Sequence, residues 1–184
     1  MESTLLYIPI LIGTVRDGRE TMHAAKLIYD IGRNIEGVEV NLIDPLYFNF
    51  PGDGDDPKNK DPKFSEITKR ADAFFIVTPE YNHSFPGSLK RMLDSELENY
   101  VHKPVAFAGV SSGSWGGVRA VEALVGSVRE MGLVAINRDV YFPRVGNLFD
   151  VNGELIDKTY YPEAIKKVYA ELIWMAKIFK NART

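Results

Sequence analysis

Five short apolar runs, each followed by a stretch with helical spacing, constrain this chain more than any other feature. They are LLYIPILI (5–12), VEVNLI (38–43), DAFFIVT (72–78), PVAFAGV (104–110) and VAINRDVYF (134–142). Several are apolar at consecutive positions, so both faces of each strand need cover, which is the pattern of a parallel sheet between helix layers. The connecting segments read as helices over 21–34, 64–70, 86–98 and 118–131. Ala24, Leu27, Ile28 and Ile31 mark the inner face of the first. Pro86 falls in the first turn of the third, where its missing N–H costs nothing, and Gly132 stops the fourth. A last helix, 161–180, aligns Tyr161, Ile165, Val168, Leu172, Ala176 and Phe179 in one stripe. Right-handed crossovers then give an α/β fold, a doubly wound three-layer sandwich with a five-stranded parallel sheet.

The 184 residues suit one domain, 1–184, that buries roughly 70% of its unfolded surface. Twenty-five acidic against 22 basic side chains leave a net charge of −3. That balance offers no basic excess for a phosphate backbone and argues against nucleic acid. Cysteine is absent, which excludes disulfides, thiolate nucleophiles and cysteine-based zinc or iron–sulfur centres. The run 5–12 follows acidic Glu2, is broken by Pro9 and ends at Gly13; it is too short for a membrane span and lacks the basic start of a signal peptide. A cytoplasmic protein without a membrane partner is expected. The segment 51–62, PGDGDDPKNKDP, reads as a surface loop. Its acidic spacing imitates a calcium loop, but Lys58 and Phe64 stand where glycine and the bidentate glutamate belong, so no metal site is assigned.

In a doubly wound sheet ligands collect beyond the carboxyl ends of the strands. Three loops lie there. The first, GTVRDGRET (13–21), combines a helix N-terminus with Thr14, Thr21, Arg16 and Arg19, a combination suited to a phosphate. It has the opening of a P-loop, but Arg19 and Glu20 replace the lysine and hydroxyl, which argues against a nucleoside triphosphate. The G-x-G-x-x-G dinucleotide pattern is missing. The fourth strand exits into GVSSG (109–113), which satisfies a nucleophile elbow around Ser111. All three histidines, His23, His83 and His102, precede that serine, so the base that would activate it is not downstream. The glycines of SSGSWGG (111–117) instead suit close approach of a flat ligand.

The third-strand loop reads TPEYNHSFPGSLKRMLD (78–94). Its residues Pro79, Glu80, Tyr81, Asn82, Ser84, Pro86, Gly87, Leu89, Lys90 and Asp94 resemble the signature of the NAD(P)H-dependent FMN reductases, which include quinone and azo-dye reductases. Arg91 departs from the usual asparagine and Phe85 from isoleucine. The likeness runs from about Leu5 to Met131 and includes the first loop, SSGSWGG and the following Arg119–Ala120. It implies a flavodoxin-like strand order, 2-1-3-4-5, with FMN between the first and third strands. By the same resemblance the phosphate belongs on Thr14, Arg16, Thr21 and the amides of Met22 and His23. The ring belongs along Pro79, Glu80, Tyr81 and Asn82, with Ser111, Gly113 and Gly116 closing the far side. No side chain is then needed as acid or base, because the flavin carries the chemistry at N5. The implied function is hydride transfer from NADPH or NADH, then electron transfer to a small-molecule acceptor such as flavin, quinone or azo dye, in a ping-pong cycle. A flavodoxin-type carrier without nicotinamide oxidation is the alternative, and its customary acidic face is weak here. The resemblance also implies a homodimer or homotetramer, for which Trp174 and Ile178 lie off the last helix's main stripe.

Overall fold

A computed structural model describes residues 5–183. The strands are β1 (Leu6–Ile12), β2 (Val38–Ile43), β3 (Phe74–Pro79), β4 (Lys103–Val110) and β5 (Leu133–Phe142). The helices are α1 (Thr21–Gly32), α2 (Pro62–Arg70), α3 (Gly87–Asp94), α4 (Val118–Glu130) and α5 (Tyr161–Arg183). All strand pairs are parallel and the order is β2-β1-β3-β4-β5, a flavodoxin-like sheet. The chain moves outward from β1 to β2, then crosses back to β3. That reversal opens a crevice at the carboxyl ends of β1 and β3.

Alternation along each strand divides the core in two. Ile8, Ile10, Ile12, Phe75 and Val77 pack under α1 and α5 with Ala24, Ile28, Ile165, Val168 and Leu172. Tyr7, Leu11, Phe74, Ile76 and Phe107 point the other way, against Phe64, Leu89, Met92, Val121 and Leu124 of α2, α3 and α4. Each fully buried Leu, Ile or Phe contributes about 1.5–3 kcal/mol relative to exposure. Pro9 and Pro104 each stand one residue before pairing with β3 begins, at Ile10↔Phe75 and Val105↔Phe74.

Several helix boundaries differ from the sequence reading. α1 ends at Gly32, beyond which the bonds tighten to i−3, Asn34 N to Ile31 at 3.2 Å and Ile35 N to Gly32 at 3.0 Å; Tyr169 of α5 lies on Gly32, where a Cβ would meet the phenol oxygen at 2.3 Å, and that hydroxyl donates to the Ile28 carbonyl at 3.0 Å. Pro86 caps α3 rather than entering it, with ψ 146°. α3 stops at Asp94 rather than near Glu98, because Ser95 Oγ bonds back to the Met92 carbonyl and Glu96 turns inward. Only 2% exposed, the Glu96 carboxylate is held by Ser65 Oγ and by Asn99 Nδ2 at 2.9 Å. α5, by contrast, runs further than its stripe implied, to Arg183. Segment 51–62 is a loop with a 3-10 turn at Pro57–Asn59, stapled by Asn59 Nδ2 to the Asp53 carbonyl. No helix among the described residues is long and apolar enough to cross a membrane.

Candidate active site

The loops after β1, β3 and β4 meet over the crevice because their main chains prolong the sheet. Gly13 N donates to the Val77 carbonyl at 2.8 Å, Glu80 N to Val110 at 3.0 Å, and Ser111 N to Phe142 at 3.1 Å. Gly13 permits the first contact, since a Cβ would lie 3.0 Å from that Val77 oxygen. Two adjoining clefts result. One of about 310 Å³ is lined by Arg16, Arg19, Thr21, Pro79, Glu80, Tyr81 and Ser111, among others. The second, about 590 Å³ and open to solvent, shares Arg16, Glu80 and Tyr81 and adds Thr14, Asn82 and Pro86.

In the first loop the Thr14 hydroxyl is buried, bonded to the Tyr81 hydroxyl at 2.9 Å, and accepts from Arg16 N at 3.2 Å. The hydroxyl pair straps the first loop to the third. Arg19 is neutralised by Asp44 at the exit of β2, and Asp44 also caps the turn at Leu46. Arg16 has no ion-pair partner among the described residues and is the exposed cation of the cleft. At the start of α1 the Met22 and His23 amides donate to the Arg19 and Glu20 carbonyls at 3.2 and 3.1 Å. The Thr21 amide has no acceptor among the described residues, as helix geometry dictates for a first-turn N–H. The His23 ring faces away from both clefts: it stacks on Phe149 with centroids 5.5 Å apart and lies against Gly153.

The third loop is a two-residue hairpin. Tyr81 and Ser84 exchange both backbone hydrogen bonds, at 2.8 and 3.0 Å, across a tip of Asn82 (φ 50°) and His83 (φ 67°). Two successive positive φ values identify a type I′ turn, built here without glycine. Glu80, whose side chain is 7% exposed, pairs with Arg119 at the start of α4.

In the fourth-strand loop Ser111 Oγ donates to the Gly113 carbonyl at 3.0 Å, and no histidine is among its partners. The nucleophile-elbow reading has no chemistry to support it. The glycines divide by role. Gly113 faces open space, whereas Gly116 (φ 64°) packs beneath Tyr141 and Pro143, and Gly117 (φ 87°) lies against β4, where a Cβ would be 2.5 Å from Val110 N. The clefts therefore gather Thr14, Arg16, Thr21, Pro79, Glu80, Tyr81, Asn82 and Ser111 of the expected residues. Met22, His23, Gly113 and Gly116 do not line them. Ser112, one of the serines expected to supply hydrogen bonds, lines the smaller cleft, and Val145 and Ser88 line the clefts without an expectation from the sequence. Ser112 sits within the SSG run; Val145 and Ser88 carry no signal in the sequence.

Among the described residues no group of three or more histidines, cysteines or acids could hold a metal. Five buried side-chain atoms of the described residues lack a hydrogen-bond partner, Arg19 Nε, Glu80 Oε2, Tyr100 Oη, Arg119 Nε and Asp139 Oδ1, and two of them, Arg19 Nε and Glu80 Oε2, belong to residues that line the smaller cleft. Unsatisfied groups of this kind are uncommon in folded proteins.

Fold and cleft together define a flavodoxin-like α/β protein with its ligand site at the switch point of the sheet. Residues 6–146 match the NADPH-dependent FMN reductases, and the chain belongs to that family. It is 29% identical over 166 residues to a quinone reductase of Pseudomonas putida, covering 85% of this chain and 88% of that one. An NADPH azoreductase of a Bacillus species is 32% identical over 135 residues, 71% and 73% of the two chains. In structure the chain resembles FerB, a flavoenzyme NAD(P)H:(acceptor) oxidoreductase of Paracoccus denitrificans, with a TM-score of 0.75 at 21% identity over 94% of this chain and 98% of that one. Family membership makes the protein a flavoprotein oxidoreductase with FMN and NAD(P)H as cofactors. The orphaned Arg19 Nε and Glu80 Oε2, the exposed Arg16 and the aromatic Tyr81 suit such a ligand, with an anion at one end and a flat polar ring at the other.

Proposed function

We propose that this protein binds FMN in the paired clefts, oxidises NADPH or NADH, and reduces small-molecule acceptors, namely free flavin, quinones or azo compounds, in a ping-pong cycle. The observation that carries the reading is the pair of buried, unpartnered polar atoms, Arg19 Nε and Glu80 Oε2, in one cleft at the switch point. FMN, when bound, supplies the chemistry of accepting hydride and passing electrons on. The chain's own residues bind and orient. Arg16, Thr14 and the Thr21 amide are the phosphate-holding groups of the proposal, with the first turn of α1, including the Met22 and His23 amides, adding its dipole. Pro79 to Asn82 form the ring-side wall, and of these the Asn82 amide, whose N–H has no acceptor among the described backbone bonds, is the donor that would stabilise negative charge developing on the ligand. Ser111 closes the far side from a loop that Gly116 and Gly117 hold tight against β4 and β5.

The larger, open cleft serves nicotinamide and acceptor in turn, so parallel steady-state lines are expected. The test is direct. FMN added to the purified protein should lose its free fluorescence on binding, and NADPH or NADH should bleach the yellow complex anaerobically, with quinone restoring the colour. A protein that takes up FMN and stays yellow with both nicotinamides is a flavodoxin-type carrier instead. Intersecting kinetic lines would replace the shared space by two separate subsites.

The proposal extends to one domain over 1–184, a cytoplasmic location and a homodimer or homotetramer. Trp174 and Ile178, 61% and 48% exposed on α5, support self-association. A monomeric mass by light scattering at micromolar concentration would reverse that part.

A further inference from the structure

The third loop and the start of α4 share a cluster that FMN binding alone does not require. The Arg119 guanidinium makes three contacts. One arm pairs with Glu80, the other lies 2.7 Å from His83 Nε2, and the group sits over the Trp115 ring, 5.8 Å from its centroid. The His83 contact fixes that nitrogen as the acceptor, since a guanidinium only donates. Glu80 belongs to the wall of both clefts, and its second oxygen, Oε2, is buried without a partner. A carboxylate in that wall sits beside a ligand that gains negative charge when reduced. Two like charges at close quarters in a partly desolvated cleft oppose each other, and the opposition falls when one has its own counter-ion.

We infer that Arg119 is the positioning residue of this site: it neutralises Glu80 and thereby sets how much more weakly the reduced form of FMN is bound than the oxidised form. The inference rests on the proposed FMN site. His83 and Trp115 hold the guanidinium over the carboxylate, and the I′ hairpin, with both tip residues in the left-handed region, carries His83 to it. The arrangement gives a signed expectation. Removing the cation leaves an uncompensated, largely buried carboxylate, the costly way to break such a pair. Removing the carboxylate's charge does the opposite for an electron-rich ligand.

The experiment measures two quantities on wild type, Arg119→Met, Arg119→Lys and Glu80→Gln. They are the dissociation constant of oxidised FMN, from fluorescence quenching, and the midpoint potential of the complex, from equilibration with a reference dye. Together they give the dissociation constant of the reduced form. In Arg119→Met the reduced-to-oxidised ratio should rise about tenfold, a potential about 30 mV more negative for a two-electron couple. In Glu80→Gln the ratio should fall severalfold. Arg119→Lys keeps the charge but not the fork to His83, so its ratio should stay within about twofold while oxidised FMN binds more weakly. A merely structural tie would lower affinity in every variant without moving the ratio in opposite directions.

Ratios within twofold of wild type in both Arg119→Met and Glu80→Gln, or shifts of the same sign, overturn the inference while the FMN site stands. Wild-type protein that binds no FMN removes the site and the inference together. Far-ultraviolet circular dichroism reports folding, and if Arg119→Met fails to fold, the sign of the Glu80→Gln shift decides.

Discussion

The two ends of the sheet treat their charged groups in opposite ways. At the amino ends of the strands Asp72 accepts the Tyr7 amide at 3.0 Å and the Lys180 ammonium at 2.8 Å, with Arg183 3.6 Å from its other oxygen. Lys103 donates to the Thr68 and Lys69 carbonyls at 2.7 and 3.0 Å and so finishes α2. Glu96 is closed in by Ser65 and Asn99. At the carboxyl ends Arg19 and Glu80 each retain a buried atom without a partner, and two adjacent residues, Asn82 and His83, hold left-handed backbone without glycine, against His102 alone at the amino end of β4. One end uses its polar groups to fasten helices to the sheet. The other leaves capacity and strain where a ligand is to be met.

Breaking the fastened end should cost most. Asp72→Ala leaves the Tyr7 amide unsatisfied and two cations of α5 without their shared acid, for an expected loss of about 3 kcal/mol in urea unfolding. Its FMN affinity should match wild type; a matching loss of affinity would mean that the two ends are coupled.

A smaller effect depends on pH. Burial, aided by the Arg183 cation and opposed by Asp72, lowers Lys103 from 10.5 to about 8. Between those values the unfolded chain holds a proton that the folded chain has released, so this group's contribution to stability rises with pH across that window. The difference in unfolding free energy between wild type and Lys103→Met should therefore grow by about 2 kcal/mol from pH 8 to pH 10. A flat difference would mean that the ammonium stays charged against the two carbonyls.

The smallest effect, and the one of opposite sign, is at the strained end. His83→Gly suits the I′ tip and should raise stability by about 0.5–1 kcal/mol in thermal unfolding, even though it gives up the Arg119 contact. A loss instead would show that the Arg119 contact outweighs the strain.

Much of this was readable from the chain. The five strands and the three loops follow from apolar runs and from Gly and Pro at their ends, signals that are local in sequence. Segment 78–94 could be matched to a family because its turn residues and the helix it opens are contiguous. What escaped is pairwise and distant. Neither Arg19 with Asp44 nor Glu80 with Arg119 has any periodicity to announce it, so Arg19 read as a phosphate-binding cation although its charge is neutralised. The early end of α3 has the same origin, because Glu96 turns inward for partners on α2. The glycines of SSGSWGG suggested one use, but their roles separate only when the neighbours of each are known.

The hydroxyl pair of Thr14 and Tyr81, 67 residues apart in the chain, has a last consequence. It closes a ring across the reversal point of the sheet, so the first and third loops are tied to each other without a ligand between them. Part of the entropy of ordering those two segments is thus spent on folding, which lowers what a binding event must supply.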